Sequence, residues 1–526
     1  MSFSSVFEDR LTSSNWIMNH NEKPPASLKI LTFNCWGLKY LAKFRNTRLT
    51  EIGRRIAASQ PPPEIVGLQE CWTQEDYSSI RQETRHVLPY GKFYYSGIFG
   101  GGLAILSKWP IEESSMVRYP LNGRPTAFFR GDWFVGKGVA CARIKMGHGP
   151  ENVAEIFCTH LHAPYEREPN DSYICHRTAQ AWEIAKLMRG AAERGHLVIG
   201  LGDFNMIPLS LAYSLITAHA PVMDAWRVLH PDSSIGAAID SVEQSRGRPI
   251  PNAEYNLMEN GTTCDSVLNT WRWSKEQQRR LSQKDDIVVD GHMQDPRAKR
   301  LDYIFFGNGT RPGLNARDTQ HSSSSDWLVH DVRVGMIHRH PSLKCSLSDH
   351  FSVELTLQRY SENPAEVKDT LKFVVNGIDD KTEYDPVIEI PRDRQVTNHS
   401  AAPTVANLLP VSTYDEILVM ISKYKIREQR QRWLRMSHFV FSIVVSIGCL
   451  AAVWWSPRKS VSFMLMLIST LSLGAGIIDG LIGGLFVGSE LRALEEFEWE
   501  IKNARKAAGG EWKVRSAARG VPVGIE

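Results

Sequence analysis

The sequence predicts an α/β domain over residues 28–358, followed by a C-terminal hairpin of two apolar helices. Three observations predict it. Short apolar runs that read as strands alternate with longer runs of helical spacing. The strand-like runs end, one after another, in a polar or acidic residue, and strand C-terminal ends are where α/β sheets place their sites. Near the C-terminus two runs, 437–455 and 461–487, are each long enough to cross a ~30 Å hydrocarbon core at ~1.5 Å per residue.

Composition agrees with a large globular part. The chain has 526 residues, 42% apolar and 23% charged, with a formal net charge of +3. That near-neutral balance gives no argument for nucleic acid. The N-terminal segment, 1–27, opens MSFSSVFEDRLTSSNW. It has no apolar core of the kind a signal peptide needs, so the domain is expected in the cytosol with its cysteines reduced. The eight cysteines show no CxxC or zinc-like spacing, so any metal is not thiolate-bound.

The elements follow in order. Leu28–Phe33 reads as a strand ending in Asn34. Thr47–Ala58 has the helical spacing of Leu49, Ile52 and Ile56. Glu64–Leu68 is a strand ending in Gln69-Glu70, and Leu103–Leu106 a strand after the Gly100–Gly102 turn. Ala154–Cys158 ends in Thr159-His160, Arg177–Met188 is helical, and Leu197–Gly200 runs into Gly202-Asp203. Residues 225–300 are polar and irregular and read as an insertion; Leu301–Phe306 and Ser352–Leu357 are later strands. Residues 359–412 form a linker with some strand at Leu371–Val375, 413–436 a basic juxtamembrane helix, 437–455 and 461–487 the two spans, and 488–526 a cytosolic tail.

Six local motifs recur at strand ends in a fixed order: Phe33-Asn34-Cys35-Trp36, Leu68-Gln69-Glu70, Thr159-His160-Leu161, Gly202-Asp203-Phe204-Asn205, Leu301-Asp302-Tyr303 and Ser348-Asp349-His350. A lone histidine at a strand end is more often structural, and a lone Gly-Asp-Phe-Asn is more often a turn. A turn gives no reason for the other five to accompany it. Together the six resemble the DNase I-like endonuclease/exonuclease/phosphatase superfamily, over about the first 358 residues. The resemblance implies a four-layer sandwich of two mixed β-sheets flanked by helices.

The chemistry requires these residue types. A phosphodiester resists attack because it is anionic, and a hard divalent cation neutralises that charge through oxygen ligands. Glu70 is the best such ligand, with Asn34 beside it; Mg²⁺ is the expected ion, and Mn²⁺ a substitute. His350 can take a proton from the attacking water near neutral pH. His160 can donate a hydrogen bond to a non-bridging oxygen as charge develops. The superfamily pattern implies that Asp302 fixes the tautomer of His350, that Asp203 orients the water or leaving group and that Asn205 holds the phosphate. Asp349 either supports His350 or reaches the metal.

Within the superfamily three branches compete. Inositol polyphosphate 5-phosphatases carry a Trp-x-Gly-Asp-x-Asn-x-Arg element and a Cys-Asp-Arg element; the corresponding places here read Gly200-Leu201-Gly202-Asp203-Phe204-Asn205-Met206 and Arg300-Leu301-Asp302-Tyr303-Ile304, and neither arginine is present. Abasic-site endonucleases have no membrane spans, and no dense basic stripe for a DNA backbone appears in residues 28–358. The third branch matches further. Asn34-Cys35-Trp36-Gly37, Gln69-Glu70-Cys71-Trp72, Gly101–Pro110, Thr159–Ala163 and Cys264-Asp265-Ser266 through Asn269-Thr270-Trp271 resemble neutral sphingomyelinases and, most nearly, their fungal counterparts, the inositol phosphosphingolipid phospholipases C. Gly131–Gly138 resembles the P-loop-like segment of that family, in which an Asp and a Lys five apart matter; here they are Asp132 and Lys137. It is not a Walker A loop, because no Ser or Thr follows Lys137-Gly138 in the needed place. Lys137 could pair with the phosphate or with Asp132. Asp265 and Asn269 are further candidates for substrate or regulatory contacts.

The resemblance implies a membrane-anchored, Mg²⁺-dependent phospholipase C that releases ceramide and a phosphorylated headgroup from inositol phosphosphingolipids or sphingomyelin. A membrane-anchored phosphoinositide phosphatase or nuclease is the alternative. Six Lys/Arg lie between Lys423 and Arg435, against two, Arg458 and Lys459, in the turn between the spans. That asymmetry predicts both termini cytosolic. The basic run could attract anionic lipid or be ordinary positive-inside flanking; the family resemblance implies stimulation by an anionic phospholipid such as phosphatidylserine. Gly476, Gly480, Gly484 and Gly488 form a small-residue ridge that could meet the first span or a second copy, so a homodimer is a further expectation. Asp479, within that span, should face a helix partner. No residue selects the organelle; the endoplasmic reticulum is the first expectation and the mitochondrial outer membrane the second.

Overall fold

A computed structural model of the chain describes residues 24–166, 170–282, 287–309, 326–360 and 409–509. Most of the expected N-terminal segment, the linker strand Leu371–Val375 and the tail beyond 509 lie outside the described residues.

Two six-stranded sheets pack face to face. The first has the order β11-β12-β1-β2-β4-β3, where β1 is Ser27–Asn34, β2 Ile65–Gln69, β3 Tyr90–Tyr94, β4 Leu103–Ser107, β11 Asp326–Gly335 and β12 Ser352–Tyr360. The second has the order β5-β6-β7-β8-β10-β9, where β5 is Ile111–Arg118, β6 Gly138–Lys145, β7 Val153–His160, β8 Leu197–Asp203, β9 Met223–Asp224 and β10 Asp302–Gly307. In each sheet the central pair is parallel, β1 with β2 and β7 with β8; the remaining pairs are antiparallel. The mixed sandwich expected from the sequence is what forms.

The central strands are apolar on both sides because both faces are covered. Leu28 and Ile30 of β1 point inward to a core shared with Ile156, Cys158, Ile199, Leu201 and Ile304 of the second sheet. Leu31 and Phe33, one residue out of phase, point outward to Leu49, Ile52 and Ile56 of helix α1 (Arg45–Ala58) and Ile80 of α2 (Gln74–Thr84). On the other flank, α3 (Ile174–Glu193) and α4 (Leu211–His219) cover Phe157, Val198 and Phe305 with Ile184, Met188 and Ile216. Each such side chain removed from water contributes about 1.5–3 kcal/mol. The edge strands β3, β5 and β11 escape the sequence reading because they are partly exposed and their patterns are short or polar.

The basic helix and the first apolar run form one unbroken helix, Val411–Trp454. After a short turn the second helix runs from Lys459 to Leu481, passes through one π turn at Ile482–Phe486 and continues as Val487–Ala507. Both helices contain an 18-residue window of mean hydropathy 2.1 that is only 11% buried, whereas the core helix of a soluble protein would be mostly buried. The glycine ridge meets the first helix. A Cβ on Gly476 would stand 2.4 Å from Ser442 Cβ, and one on Gly480 2.9 Å from the Phe439 ring. Asp479 pairs with Arg435 and, at 2.7 Å, with His438 Nδ1.

The polar ends of these helices dock on the sandwich. Tyr414, Ile417, Leu418, Ile421 and Tyr424 line up at helical spacing and, with Leu494, Phe497 and Ile501, cover Cys175, Ala179 and Trp182 of α3 and Leu215 of α4. Part of the basic run is thereby used internally. Lys425 pairs with Glu498 at 3.0 Å and Arg427 with Glu428 at 2.7 Å.

Candidate active site

The site forms where the two parallel pairs end, one sheet above the other. Register explains the grouping. Asn34 stands opposite Gln69, so Glu70 lies one residue beyond the end of β2. In the other sheet His160 of β7, Asp203 of β8 and Asp302 of β10 occupy one row across three neighbouring strands, so their side chains share a face. Gly202 lets β8 approach β7 this closely. Its φ is +145°, and a Cβ there would stand 1.9 Å from Thr159 O. Three non-glycine residues at these strand ends, Trp36, Glu70 and Asn205, hold positive φ values of 48°, 53° and 46°. Such strain persists only where surrounding contacts enforce it, as at functional sites.

His350 enters from the loop before β12. Its Nδ1 lies 2.8 Å from Asp302 Oδ2, which makes Nδ1 the protonated nitrogen and leaves Nε2 as the acceptor. Asp203 Oδ2 is the hub. Asn34 Nδ2 donates to it at 3.0 Å, His160 Nε2 lies at 3.5 Å and His350 Nε2 at 3.9 Å. Asn34 Nδ2 also reaches Glu70 Oε1 at 3.3 Å. Asn205 donates its backbone N–H to Asp203 Oδ1 at 2.9 Å and its amide to Leu161 O at 3.1 Å.

Burial and neighbouring charge push these groups apart. Burial, with the Asp349 charge added, raises Glu70 to about 7. Burial also raises Asp203 to about 6. Burial opposes a charged His350, but the Asp302 and Asp203 carboxylates outweigh it and hold the imidazole well above its ordinary value. His160 moves the other way, well down, through burial and then the charges of Lys137 and His350. His160 is therefore held neutral, able to donate, while His350 is held as the stronger base, which accepts a proton once it has lost its own.

The residues fit a hard cation. Glu70 Oε2 is buried with no hydrogen-bond partner among the described residues, and an uncompensated carboxylate oxygen is costly unless a cation or proton meets it. Asp203, Asp302 and His350 also bring ligand atoms within 4.8 Å of one another. There, however, the hydrogen bond from His350 Nδ1–H to Asp302 Oδ2 already engages that nitrogen and that oxygen, which suits proton handling better.

The other expected residues divide. Lys137 is buried and aimed into the site, its Nζ donating to Leu161 O at 3.2 Å. Burial lowers its pKa against the pull of Asp132, Glu70 and Asp203. Asp132 is not ion-paired with it. Asp132 accepts the Tyr165 hydroxyl at 2.6 Å and stands 3.7 Å from His162 Nε2. Asp349 is half-buried, accepts from Ser348 Oγ at 3.3 Å and acts on Glu70 through its charge. Asn269 and Asp265 lie behind the site. Asn269 donates to Ser348 O at 3.0 Å, bracing the loop that carries His350. Asp265 pairs with Arg272 and, at 3.0 Å, with Lys299.

Two supporting residues escape sequence reasoning. Thr263 Oγ1 accepts from Leu301 N at 3.1 Å and Asp302 N at 3.3 Å. Arg48, fully buried on α1, donates to Cys35 O at 3.2 Å and Trp36 O at 2.8 Å. Neither belongs to a strand-end motif. The only signal for Thr263 is its place beside Cys264-Asp265.

The endonuclease/exonuclease/phosphatase family model matches residues 31–350. An inositol phosphosphingolipids phospholipase C of Schizosaccharomyces pombe is 36% identical over 485 residues, covering 92% of this chain and 95% of that one. The protein of the same description from Saccharomyces cerevisiae is 33% identical over 530 residues, covering 95% and 94%. Human sphingomyelin phosphodiesterase 2 is 36% identical over 206 residues, 39% of this chain and 47% of its own. The resemblance carried by the strand-end motifs is borne out by these relatives.

Proposed function

The chain belongs to the endonuclease/exonuclease/phosphatase family, and from that premise we propose that it is a membrane-anchored, Mg²⁺-dependent phospholipase C of sphingolipids. The observation that carries the reading is the unpartnered Glu70 oxygen facing, across Asp203, a hydrogen-bonded Asp302–His350 pair. Residues 28–358 are the catalytic part. Glu70 and Asn34 would hold the ion, which when bound neutralises phosphoryl charge and favours attack at phosphorus.

The chain's own residues supply the rest. His350 Nε2 accepts the proton of the attacking water, and Asp302 stabilises the imidazolium that results. Neutral His160, the Lys137 ammonium and the Asn205 amide meet the non-bridging oxygens as charge develops. Asp203, raised to about 6, stands between the two imidazoles, where it can orient the water or hand a proton to the departing ceramide oxygen. The P–O bond to ceramide breaks, leaving ceramide and a phosphorylated headgroup.

Two exposed apolar helices support the membrane anchor, and the basic flank supports both termini in the cytosol. Anionic lipid would act through Lys423, Arg430 and Arg432, which have no ion pair among the described residues. A homodimer would need a face other than Gly476 and Gly480, which the first helix occupies. The endoplasmic reticulum is the membrane we propose. The test is turnover of inositol phosphorylceramide against sphingomyelin in mixed micelles, with Mg²⁺ and with EDTA, beside DNA and phosphoinositide controls. Mg²⁺-dependent ceramide release is expected, and the lipid ratio reads the headgroup. Cleavage of a control with no ceramide from either lipid would overturn the assignment.

A further inference from the structure

Two loops at the site end carry large apolar side chains that no described residue covers. Ile98 is 73% exposed, Phe99 59%, Phe128 43% and Phe129 77%. Single exposed apolar residues are ordinary on a protein surface. These four sit on segments tied to each other. The backbone N–H groups of Ile98 and Phe99 both donate to Phe134 O, at 3.2 and 3.3 Å, and Gly97 bridges Val135. The Phe99 and Phe134 rings stand 5.6 Å apart, and Phe134 meets Trp133 at 5.2 Å.

The same segment touches the apolar helices where they meet the sandwich. Trp133 packs on Phe486, in the π turn of the second helix, with ring centroids 4.4 Å apart. Thr126 O accepts from Arg435, just before the first apolar run, at 3.4 Å. A chain of aromatic contacts thus runs from the end of the second apolar run to a loop beside the site. Lys137, aimed into that site, follows Phe134 by three residues.

We propose that Ile98, Phe99, Phe128 and Phe129 form a lip that inserts into the headgroup layer of the bilayer crossed by the chain's own helices. Sphingolipid then slides along it to the site without leaving the membrane. The inference rests on the membrane-anchored reading above. The occupant is a lipid surface because the lip is continuous with the cytosolic ends of the apolar helices, and aromatic and aliphatic side chains at that depth exchange water for acyl chain.

The full chain is reconstituted in phosphatidylcholine vesicles containing inositol phosphorylceramide. An environment-sensitive fluorophore is placed at Phe129→Cys or, as a control at the opposite end of the sandwich, at Glu151→Cys; the labelled parent corrects for native cysteines. Nitroxide-bearing lipid should quench the label at 129 and not at 151. Equal access of aqueous iodide to both labels would overturn the proposal, as would quenching at 129 that depends on protein concentration rather than on lipid, the sign of a second copy on this surface. Ile98→Ser with Phe129→Ser, both on exposed side chains, should lower turnover of vesicle lipid about tenfold and leave a water-soluble short-chain analogue within about twofold. Equal loss on both substrates would also overturn it. If the parent releases no ceramide while the label at 129 is still quenched by lipid, the activity reading fails and the lip stands.

Discussion

The two sheets are built alike and finish differently. Each centres on a parallel pair, β1 with β2 and β7 with β8, buried on both faces. The first pair ends in an amide and a carboxylate, Asn34 and Glu70, with one buried oxygen left without a partner among the described residues. The second ends in His160 and Asp203, joined in register by Asp302 and through it by His350. In the function proposed above, the first end would offer oxygen ligands to a cation and the second would move and hold protons. Asp203 Oδ2 lies within 3.9 Å of side-chain nitrogens from both ends, so a phosphate between the sheets would meet both kinds of chemistry.

The largest expected effect comes from removing the first end. Glu70→Gln should lower Mg²⁺-dependent turnover by several kcal/mol of barrier, on the order of 10³-fold or more. The same substitution should raise the melting temperature of the metal-free protein by a few degrees near pH 8. The sign follows from the shift. The folded-state pKa of Glu70 is raised to about 7, so above that pH folding must bury a charge that the unfolded chain keeps in water; the amide carries no such cost. Loss of both activity and stability would mean that Glu70 is structural.

Breaking the second end should cost somewhat less. His350→Ala is expected to lower turnover about 10²–10⁴-fold with the fold intact. Asp302→Asn should cost on the order of 10²-fold and also move the pH profile. Asp302 raises the His350 pKa, so without it the imidazole is free to accept a proton at lower pH, and the acidic limb of kcat/KM shifts down. An unmoved limb would dissociate Asp302 from the base.

The two ends should also differ in how pH reaches them. A proton competes with a cation for Glu70. Divalent-ion affinity, measured by calorimetry on lipid-free protein, should therefore be retained above pH 7 and fall as pH drops through about 7. Affinity flat from pH 8 to pH 6 would place the ion elsewhere, with the Asp203–Asp302–His350 group the next site to test.

The ends of both sheets were legible in sequence because a buried strand must be apolar and its last residue need not be. A polar residue closing each of β1, β2, β7 and β8 marks the exit into the site. What supports those residues was less legible. Arg48 looks like an ordinary helix-surface cation, yet it is buried because it satisfies the carbonyls of the Cys35–Trp36 turn. The docking stripe Tyr414–Ile417–Leu418–Ile421–Tyr424 has helical spacing, but the following lysines and arginines mask it, and its partners on α3 lie more than two hundred residues upstream. Register across β7, β8 and β10 joins His160 to Asp302 through Asp203, and spacing along the chain cannot show it.

Asn269 gives a smaller test, and the sharpest on the difference between touching the substrate and bracing what does. Its side-chain N–H donates to the buried Ser348 O and its side-chain oxygen accepts the partly buried Trp271 N–H. Ser348 Oγ in turn donates to Asn34 O at 2.6 Å and accepts the His350 N–H at 3.2 Å, so one loop ties the first end of the site to the second. Asn269→Ala leaves the Ser348 carbonyl buried and unpaired, a loss of about 1–3 kcal/mol in stability. Turnover of the folded fraction should fall less than about tenfold, because the loop retains its bonds to Asn34 and to the Cys264 bridge. A large loss of kcat with unchanged melting temperature would instead put Asn269 in contact with the substrate. Asp265→Ala should do less still, since its partners Arg272 and Lys299 are partly exposed and such pairs contribute about 0–1 kcal/mol.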